Sequence, residues 1–562
     1  MILEQINDIA SICSGHGIKT AIISPGSRSA PLTLAFTRHP EIDCKVISDE
    51  RSAAFITLGI AQQQKLPVVL ICTSGSATLN YAPAIAEAYY QEIPLLVLTA
   101  DRPPEWIDQY DGQTINQHGI YGNHVKSSFT FPSEIGNEDS KWHCNRIINE
   151  SILCATTSPH GPVHVNIPLR EPFYPTKEEV TTFKAVRIIK ESKIVKSIDS
   201  DELQELNQEW AKHNNKAIII GQNPSSISLQ NSVAEFSKTT HTPVIADIIS
   251  NQHGDGNIKF QDLFLNPKLE RDNQALVPDL LITFGNSLIS KNLKTFIRAN
   301  PPKAHWHISP SDRLNDSMQN VTRLVKMSPD AFLKSFNPTA TSNEFNTVWK
   351  AQNDKTRDVI TQYIGTCKFG ELKTVAKCLD ALPQNSQLHL ANSMAVRYAN
   401  ILGVAASSQI NVFANRGTSG IDGSNSTAVG AALAQNKIVT LVTGDMAFFY
   451  DRNAFWHNYD LKNLRIIILN NHAGGIFRLI EGPASQPELE EYFETNQALN
   501  AKNTASDFNF DYKLVDNETD LDMHLANFYA ASENAKILEI ETESALNASI
   551  YSKLKQTINE QL

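Results

Sequence analysis

Apolar and polar positions along this chain alternate in blocks of two lengths. Short runs of β-branched and aliphatic residues predict strands, and longer stretches with apolar residues at helical spacing follow them. Runs at residues 20–24, 44–47, 68–72, 95–98 and 164–167 give the first region an α/β pattern with a mostly parallel sheet. The alternation resumes at Ala217-Ile218-Ile219-Ile220-Gly221, with further strands predicted at 243–246, 280–284 and 304–308. Charged residues cluster over 176–205 and read as a linker, and the polar, irregular stretch 337–344 closes the middle region. From about residue 360 the pattern returns: largely β-branched and apolar runs at 437–443 and 464–469 flank helical spacing over 453–461, which predicts one βαβ unit. No short-period repeat is evident. The expected fold class is α/β, with three doubly wound parallel-sheet domains at 1–180, 190–345 and 360–562.

The last of these βαβ units carries the densest chemistry. Val442-Thr443-Gly444-Asp445-Met446 ends one strand, and Asn470-Asn471-His472-Ala473-Gly474-Gly475-Ile476-Phe477 ends the next. A crossover between parallel strands brings both ends to one sheet edge, where such sheets bind ligands. Asp445 and Asn471 then offer a carboxylate and an amide carbonyl side by side, and Ala473 a backbone carbonyl. Mg²⁺ takes about six oxygen ligands and usually keeps phosphate oxygens and water among them, so three protein oxygens are a sensible share. Taken alone, the pair reads equally as the polar ends of two buried strands, with Asp445 capping a helix and Asn471 forming a turn.

Length and charge narrow the picture. A chain of 562 residues is too long for one hydrophobic core. An apolar content of 41% fits a globular enzyme, and no apolar run approaches the roughly 20 residues that span a bilayer. The start, Met1-Ile2-Leu3-Glu4-Gln5, has no basic flank or cleavage site, so a cytoplasmic location is expected, without a membrane partner. The seven cysteines are odd in number and show no CxxC pairing, which indicates small core residues instead of disulfides or zinc ligands. A net charge of −11 with no basic tract argues against nucleic acid. An anionic substrate would need selected arginines.

In the first region, four loops follow predicted strands and open helices: Ser24-Pro25-Gly26-Ser27-Arg28-Ser29, Ser48-Asp49-Glu50-Arg51, Thr73-Ser74-Gly75-Ser76-Ala77-Thr78-Leu79-Asn80, and Thr99-Ala100-Asp101-Arg102-Pro103-Pro104-Glu105. Each in isolation also reads as a turn with a helix cap or an acid at a helix N-terminus. These four loops share one sheet edge, and two further motifs stand out, Gly161-Pro162-Val163-His164-Val165-Asn166-Ile167-Pro168 and Asn415-Arg416-Gly417-Thr418-Ser419-Gly420-Ile421-Asp422-Gly423.

Taken in order, these motifs resemble the thiamine diphosphate-dependent synthases of 2-succinyl-5-enolpyruvyl-6-hydroxy-3-cyclohexene-1-carboxylate in menaquinone biosynthesis. The Asp445-to-Asn471 spacing and Glu50 mark the wider thiamine diphosphate superfamily; SPGSRS, TADRPPE and NRGTSGIDG are more specific. The resemblance implies the pyruvate oxidase/decarboxylase-like architecture, with pyrimidine, middle and diphosphate domains. It also implies a transferase that decarboxylates 2-oxoglutarate and adds the remaining unit to isochorismate. The implied cofactors are thiamine diphosphate and Mg²⁺ or Mn²⁺. Glu50 would hydrogen-bond the cofactor's aminopyrimidine in a partly dry pocket, with Pro25, Ser74 and Asn80 nearby, and Ile421 would hold the cofactor bent. Asp445, Asn471 and the Ala473 carbonyl would bind the metal, while Asn392, Gly444, Met446, Ala447 and Ile476 would meet the cofactor. Arg28, Arg102, Arg397 and Arg416, with Lys291, would bind the two dianionic substrates, because a planar guanidinium pairs bidentately with carboxylates. Ser27, Gln113 and Ser393 would add neutral hydrogen bonds. The family completes each site across two chains, which implies a homo-oligomer, either a dimer or a dimer of dimers.

Some positions depart from the family pattern. Ala447 stands where a serine is common, His472-Ala473 replaces Asn-Gly, Gly112 stands for an asparagine, and Asn292 follows Lys291 where a second base can occur. Rival readings use the same residues differently. Another thiamine diphosphate-dependent 2-oxo acid decarboxylase or carboligase would need no arginine cluster. A non-catalytic protein of this fold would not need Glu50. A nicotinamide dehydrogenase would need a GxGxxG fingerprint that the chain lacks.

Overall fold

The computed structural model describes residues 4–171, 173–174, 181–192, 194, 196–269 and 273–562; residues 1–3, the first-domain boundary at 180 and parts of the predicted linker (176–180, 193 and 195) lie outside them. Three parallel sheets organise the chain, each set among helices. The first has six strands in the spatial order Asp43–Val46, Thr20–Ile23, Val68–Cys72, Leu95–Asp101, Val163–Pro168, Ser128–Thr130. The second has five: Arg323–Val325, Ala304–Ile308, Leu280–Phe284, Lys216–Ile220, Val244–Ala246. The third again has six: Asn411–Ala414, Gln387–Leu390, Val439–Gly444, Leu464–Asn470, Lys536–Glu541, Asp511–Val515.

Strand composition follows position. The interior strand Val68–Cys72 is fully buried and wholly apolar, as expected where helices cover both faces of a parallel sheet. The edge strand Asp511–Val515 is largely exposed and polar, so its apolar signal is weak. In the middle sheet, Trp306 and Trp210 are buried with Phe236, Phe332 and Phe336. Their polar atoms are satisfied, Trp306 Nε1 by Glu209 Oε2 at 2.8 Å and Trp210 Nε1 by the Thr339 carbonyl at 3.0 Å.

Two compact units emerge from the contacts. One comprises Met1–Lys193, Asn415–Asn436 and Ala447–Leu464; the other Ile194–Ala414, Lys437–Met446 and Arg465–Leu562. Within the first unit, helix Glu50–Gln64 packs on helix Ser424–Ala434. Gly59 lies against the Thr427 carbonyl and Gly430 against the Ile56 carbonyl, closer than any Cβ would allow. Within the second unit, Asn251 acts as a surrogate strand for the edge of the third sheet. Its Oδ1 accepts from Val412 N at 2.7 Å and its Nδ2 donates to the Val412 carbonyl at 3.1 Å.

The predicted helix over 453–461 is not formed. The crossover instead uses helix Asp445–Tyr450 and a short 3-10 turn, Arg452–Phe455. Asp451 ends the helix by turning inward: its carboxylate is fully buried and accepts from Ser426 N and Ser426 Oγ, both at 2.7 Å. Beyond it, His457 Nδ1 accepts from Tyr459 N at 3.1 Å in a local turn that competes with helix. The cysteines are all free, with Cys13, Cys72, Cys144 and Cys378 buried. No helix among the described residues is long and apolar enough to cross a membrane.

Candidate functional site

In the second unit, Asp445 and Asn471 leave neighbouring strands of the third sheet, as the βαβ reading expects. Asp445 is 2% exposed, and its Oδ2 accepts from Gln497 Nε2 at 2.7 Å. Asn471 Nδ2 donates to Glu371 Oε1 at 2.5 Å, and Asn471 Oδ1 accepts from Ala473 N at 3.0 Å. The Ala473 carbonyl accepts from Gly475 N at 2.9 Å, which leaves its second lone pair for another partner. His472 adopts a left-handed φ of 58°, and its N donates to Asn470 Oδ1 at 3.1 Å, shaping this tight turn. Ile476 follows in the 3-10 turn Gly475–Leu479.

The electrostatics of this corner are incomplete. Burial, opposed by hydrogen bonds from Gln497 and Met446, pushes the Asp445 carboxyl up to about 6. Burial also pushes Glu371 up to about 7, with the Asn471 hydrogen bond opposing and the Asp445 charge adding to the rise. Two buried acids, one raised by the charge of the other, suit a hard divalent cation, which would favour their ionised forms. No grouping of three His, Cys, Asp or Glu side chains suited to a metal occurs among the described residues. Asp445, Asn471 and the Ala473 carbonyl therefore suit a cation that completes its shell with non-protein oxygens, as Mg²⁺ does on phosphates. Beside Asp445, nothing stands within 4 Å of a Cβ built on Gly444, so the strand end opens into space that a diphosphate could fill. Met446 is half-buried, and Ala447, in the first unit, is buried.

The same sheet edge carries Asn392, which is 3% exposed, and Ser393, whose φ of 70° and ψ of −128° form a strained conformation for a residue with a Cβ. Ser393 precedes helix Met394–Leu402, and Arg397 Nη1 donates back to the Ser393 carbonyl at 2.5 Å. Burial lowers the Arg397 guanidinium from its usual range, while Tyr551 and Asp262 counteract the shift. Asp262 Oδ1 also accepts from Asn292 N at 2.9 Å, at the start of helix Lys291–Ala299. Lys291 itself is exposed.

In the first unit, Glu50 is half-buried at the start of helix Glu50–Gln64, and the helix is capped by Asp49, which accepts from Ser52 N at 2.9 Å. The SPGSRS loop follows Thr20–Ile23; its Ser24 Oγ accepts from Tyr81 OH at 3.1 Å. Pro25 and Ser27 are exposed in that loop, but Arg28 is turned inward. Its Nη1 donates to the Leu169 carbonyl at 3.0 Å, its Nη2 lies 3.6 Å from Glu171, and its guanidinium sits 4.5 Å over the Phe173 ring. Arg102 pairs with Asp111 at 3.1 Å and donates to the Gly112 carbonyl at 2.9 Å, bracing the turn that holds Gln113 at a φ of 55°. Ser74 is buried and Asn80 exposed. Arg416 is half-buried, and Ile421 is 37% exposed, which sets it apart from a core isoleucine.

Four residues that hold these loops escaped the sequence reading. Gln117, 1% exposed, accepts from Gly75 N at 2.8 Å and donates to Ala100 O at 3.1 Å and Asn166 Oδ1 at 2.9 Å. Gln497 ties Asp445 to the turn after Asn470, because Gln497 N donates to the His472 carbonyl at 2.9 Å. Glu371 orients Asn471, and Glu87 grips the loop after Arg416. Only Gln117 left a trace, since Asn166 breaks an apolar strand in the GPVHVNIP motif and invites a buried partner.

Residues 6–120 match the family model "Thiamine pyrophosphate enzyme, N-terminal TPP binding domain", and residues 190–390 match "Middle domain of thiamine pyrophosphate". A protein of Cytophaga hutchinsonii named 2-succinyl-5-enolpyruvyl-6-hydroxy-3-cyclohexene-1-carboxylate synthase is 44% identical, over 99% of each chain. Proteins of the same name from Flavobacterium johnsoniae and Bacteroides thetaiotaomicron are 40% and 36% identical, each over 98% of this chain and 98% and 99% of their own lengths. The solved structure of benzoylformate decarboxylase from Polynucleobacter necessarius superposes with a TM-score of 0.70 at 14% identity, over 96% of this chain and 98% of that one, and so shares the fold.

Proposed function

This chain belongs to the family of 2-succinyl-5-enolpyruvyl-6-hydroxy-3-cyclohexene-1-carboxylate synthases, and from that premise we propose how its residues carry out the reaction. It is a thiamine diphosphate-dependent carboligase of menaquinone biosynthesis. It removes CO₂ from 2-oxoglutarate and joins the remaining four-carbon unit to the ring alkene of isochorismate. When bound, thiamine diphosphate supplies a nucleophilic carbon that also takes up the electron pair left as CO₂ departs. The domains are assigned as pyrimidine-binding at 1–180, middle at 190–345 and diphosphate-binding at 360–562.

Asp445, Asn471 and the Ala473 carbonyl would hold Mg²⁺ or Mn²⁺, and Asn392, Gly444, Met446, Ala447 and Ile476 would line the diphosphate. Glu50 would hydrogen-bond the cofactor's aminopyrimidine, with Pro25, Ser74 and Asn80 around that ring, and the exposed Ile421 would pack against the cofactor. Arg397, Arg416 and Arg102, with Lys291 and the hydrogen-bonding Ser27, Gln113 and Ser393, orient the dianionic substrates. As the acceptor alkene is attacked, negative charge moves onto the isochorismate carboxylate. A fixed guanidinium there is worth roughly 3–4 kcal/mol. Arg28 donates one N–H to the Leu169 carbonyl and would meet a substrate carboxylate with its other donors. Two copies of the chain form the working unit, with Glu50 of one serving the cofactor held by Asp445 of the other, in the cytoplasm.

The observation that carries this reading is the pair of buried acids, Glu371 hydrogen-bonded to Asn471 and Asp445 raising it by its charge, at a strand end that opens beside Gly444. It is tested by following isochorismate consumption with 2-oxoglutarate, thiamine diphosphate and Mg²⁺, with each omitted in turn and with Glu50→Gln. Consumption that needs every component and Glu50 supports the synthase. Release of CO₂ while isochorismate persists would reassign the chain as a decarboxylase.

A further inference from the structure

The loop that carries Arg416 and Ile421 is gripped by a carboxylate from another helix. Glu87 lies on helix Ala82–Gln91 and is 1% exposed. Its Oε1 accepts from Gly417 N at 2.7 Å, and its Oε2 accepts from Thr418 N at 2.6 Å and from Thr418 Oγ1 at 2.5 Å. Gln91 Nε2, one turn along the same helix, donates to Oε1 as well. A carboxylate accepts at both oxygens, so one side chain serves two consecutive backbone N–H groups through separate atoms.

The fit is tight on both sides. A Cβ on Gly417 would stand 2.7 Å from the Glu87 carbonyl and 3.1 Å from its carboxyl group, so the residue after Arg416 must be glycine for the clamp to close. At the far end of the loop, Gly423 is packed against the Phe55 ring of helix Glu50–Gln64. The loop is thus fixed at 417–418 by hydrogen bonds and at 423 by packing. Arg416 adjoins the first anchor, and Ile421 lies between the two.

We propose that Glu87 is a positioning residue. By fixing the backbone at Gly417 and Thr418, it sets where the Arg416 guanidinium meets a substrate carboxylate. The inference rests on the substrate-binding reading of Arg416 given above. Removing the charge leaves the folded loop with one backbone N–H facing an amide N–H₂, so the loop shifts and Arg416 loses its aim.

A double-mutant cycle tests this in steady-state kinetics on the full chain, with the four proteins wild type, Glu87→Gln, Arg416→Gln and the double variant. Glu87→Gln is expected to lower kcat/KM about tenfold, mainly by raising KM for one of the two dianions, the same one that Arg416→Gln affects. Because Glu87 acts through Arg416, the double variant should be no worse than Arg416→Gln alone. Losses that multiply, or an effect of Glu87→Gln on kcat with KM unchanged, would overturn the proposal. Should Glu87→Gln fail to fold, Thr418→Val removes the hydroxyl donor alone and replaces it in the cycle, with an expected loss of about threefold and the same criterion. If Arg416→Gln itself leaves both KM values unchanged, the substrate-binding reading of Arg416 fails while the geometry of the clamp stands.

Discussion

The first and third sheets are one topology with two chemistries. Numbering strands along the chain within each, both run 2-1-3-4-6-5 in space. Equivalent loops therefore compare directly: SPGSRS with Asn392-Ser393 after the first strand, Glu50 with Arg416 after the second, Ser74-Gly75 with Gly444-Asp445 after the third, and Asp101-Arg102 with Asn471 after the fourth. In the first sheet the polar groups answer one another. Asp101 is raised by burial, yet its Oδ2 accepts from Asn166 Nδ2 at 2.7 Å and its Oδ1 from Arg102 N at 2.8 Å, while Gln117 covers Gly75 N. In the third, Asp445 and Glu371 are both raised by burial, and the Asp445 charge adds to the rise at Glu371 despite the hydrogen bonds each accepts. A satisfied acid braces a scaffold, whereas a surplus of acid beside open space marks the place for a cation.

Exchanging the roles of these two aspartates should break the comparison first. Asp445→Ala is expected to lower turnover by more than about 100-fold, since loss of even an outer partner of a metal site costs 10–100-fold. Saturating thiamine diphosphate and Mg²⁺ should then no longer raise its melting temperature. Gly430→Ala should act on stability instead. Its methyl group is forced onto the Ile56 carbonyl between the helices that follow the two second strands, at a cost of about 3 kcal/mol in chemical unfolding. Asp101→Asn keeps one acceptor oxygen but turns an N–H₂ toward one of its two donors, Asn166 Nδ2 or Arg102 N, and should cost about 1–3 kcal/mol, with cofactor affinity retained. The smallest effect belongs to Ser393→Gly: release of the strained φ of 70° should stabilise the fold by about 1 kcal/mol while slowing turnover, a trade visible by comparing melting temperature with kcat.

The sequence reading succeeded where chemistry and strand lie together. Runs such as 68–72, wholly apolar, and 464–469, apolar but for Arg465, announced buried strands, and the polar residues just beyond them marked the sheet edge on which the candidate site is built. It failed where tertiary contacts decide. Ser128–Thr130, Arg323–Val325 and Asp511–Val515 lie at sheet edges and are too short or too polar to stand out. Helix 453–461 was lost to Asp451, whose partner Ser426 lies far back along the chain. Glu87, Glu371 and Gln497 read as ordinary helix or loop polar residues because their partners are distant in sequence. The shared strand order of the first and third sheets left no residue-level repeat, since parallel pairing demands apolar character and not particular residues.

The most direct test of the contrast is calorimetric titration of thiamine diphosphate into wild type, Asp101→Asn and Asp445→Asn, each with Mg²⁺ and again with EDTA. Tight, Mg²⁺-dependent binding to wild type and Asp101→Asn, with none to Asp445→Asn, is the predicted result. Binding to Asp445→Asn that matches wild type, or that ignores the metal in all three, would contradict the assignment of the third sheet's edge as the metal and diphosphate site.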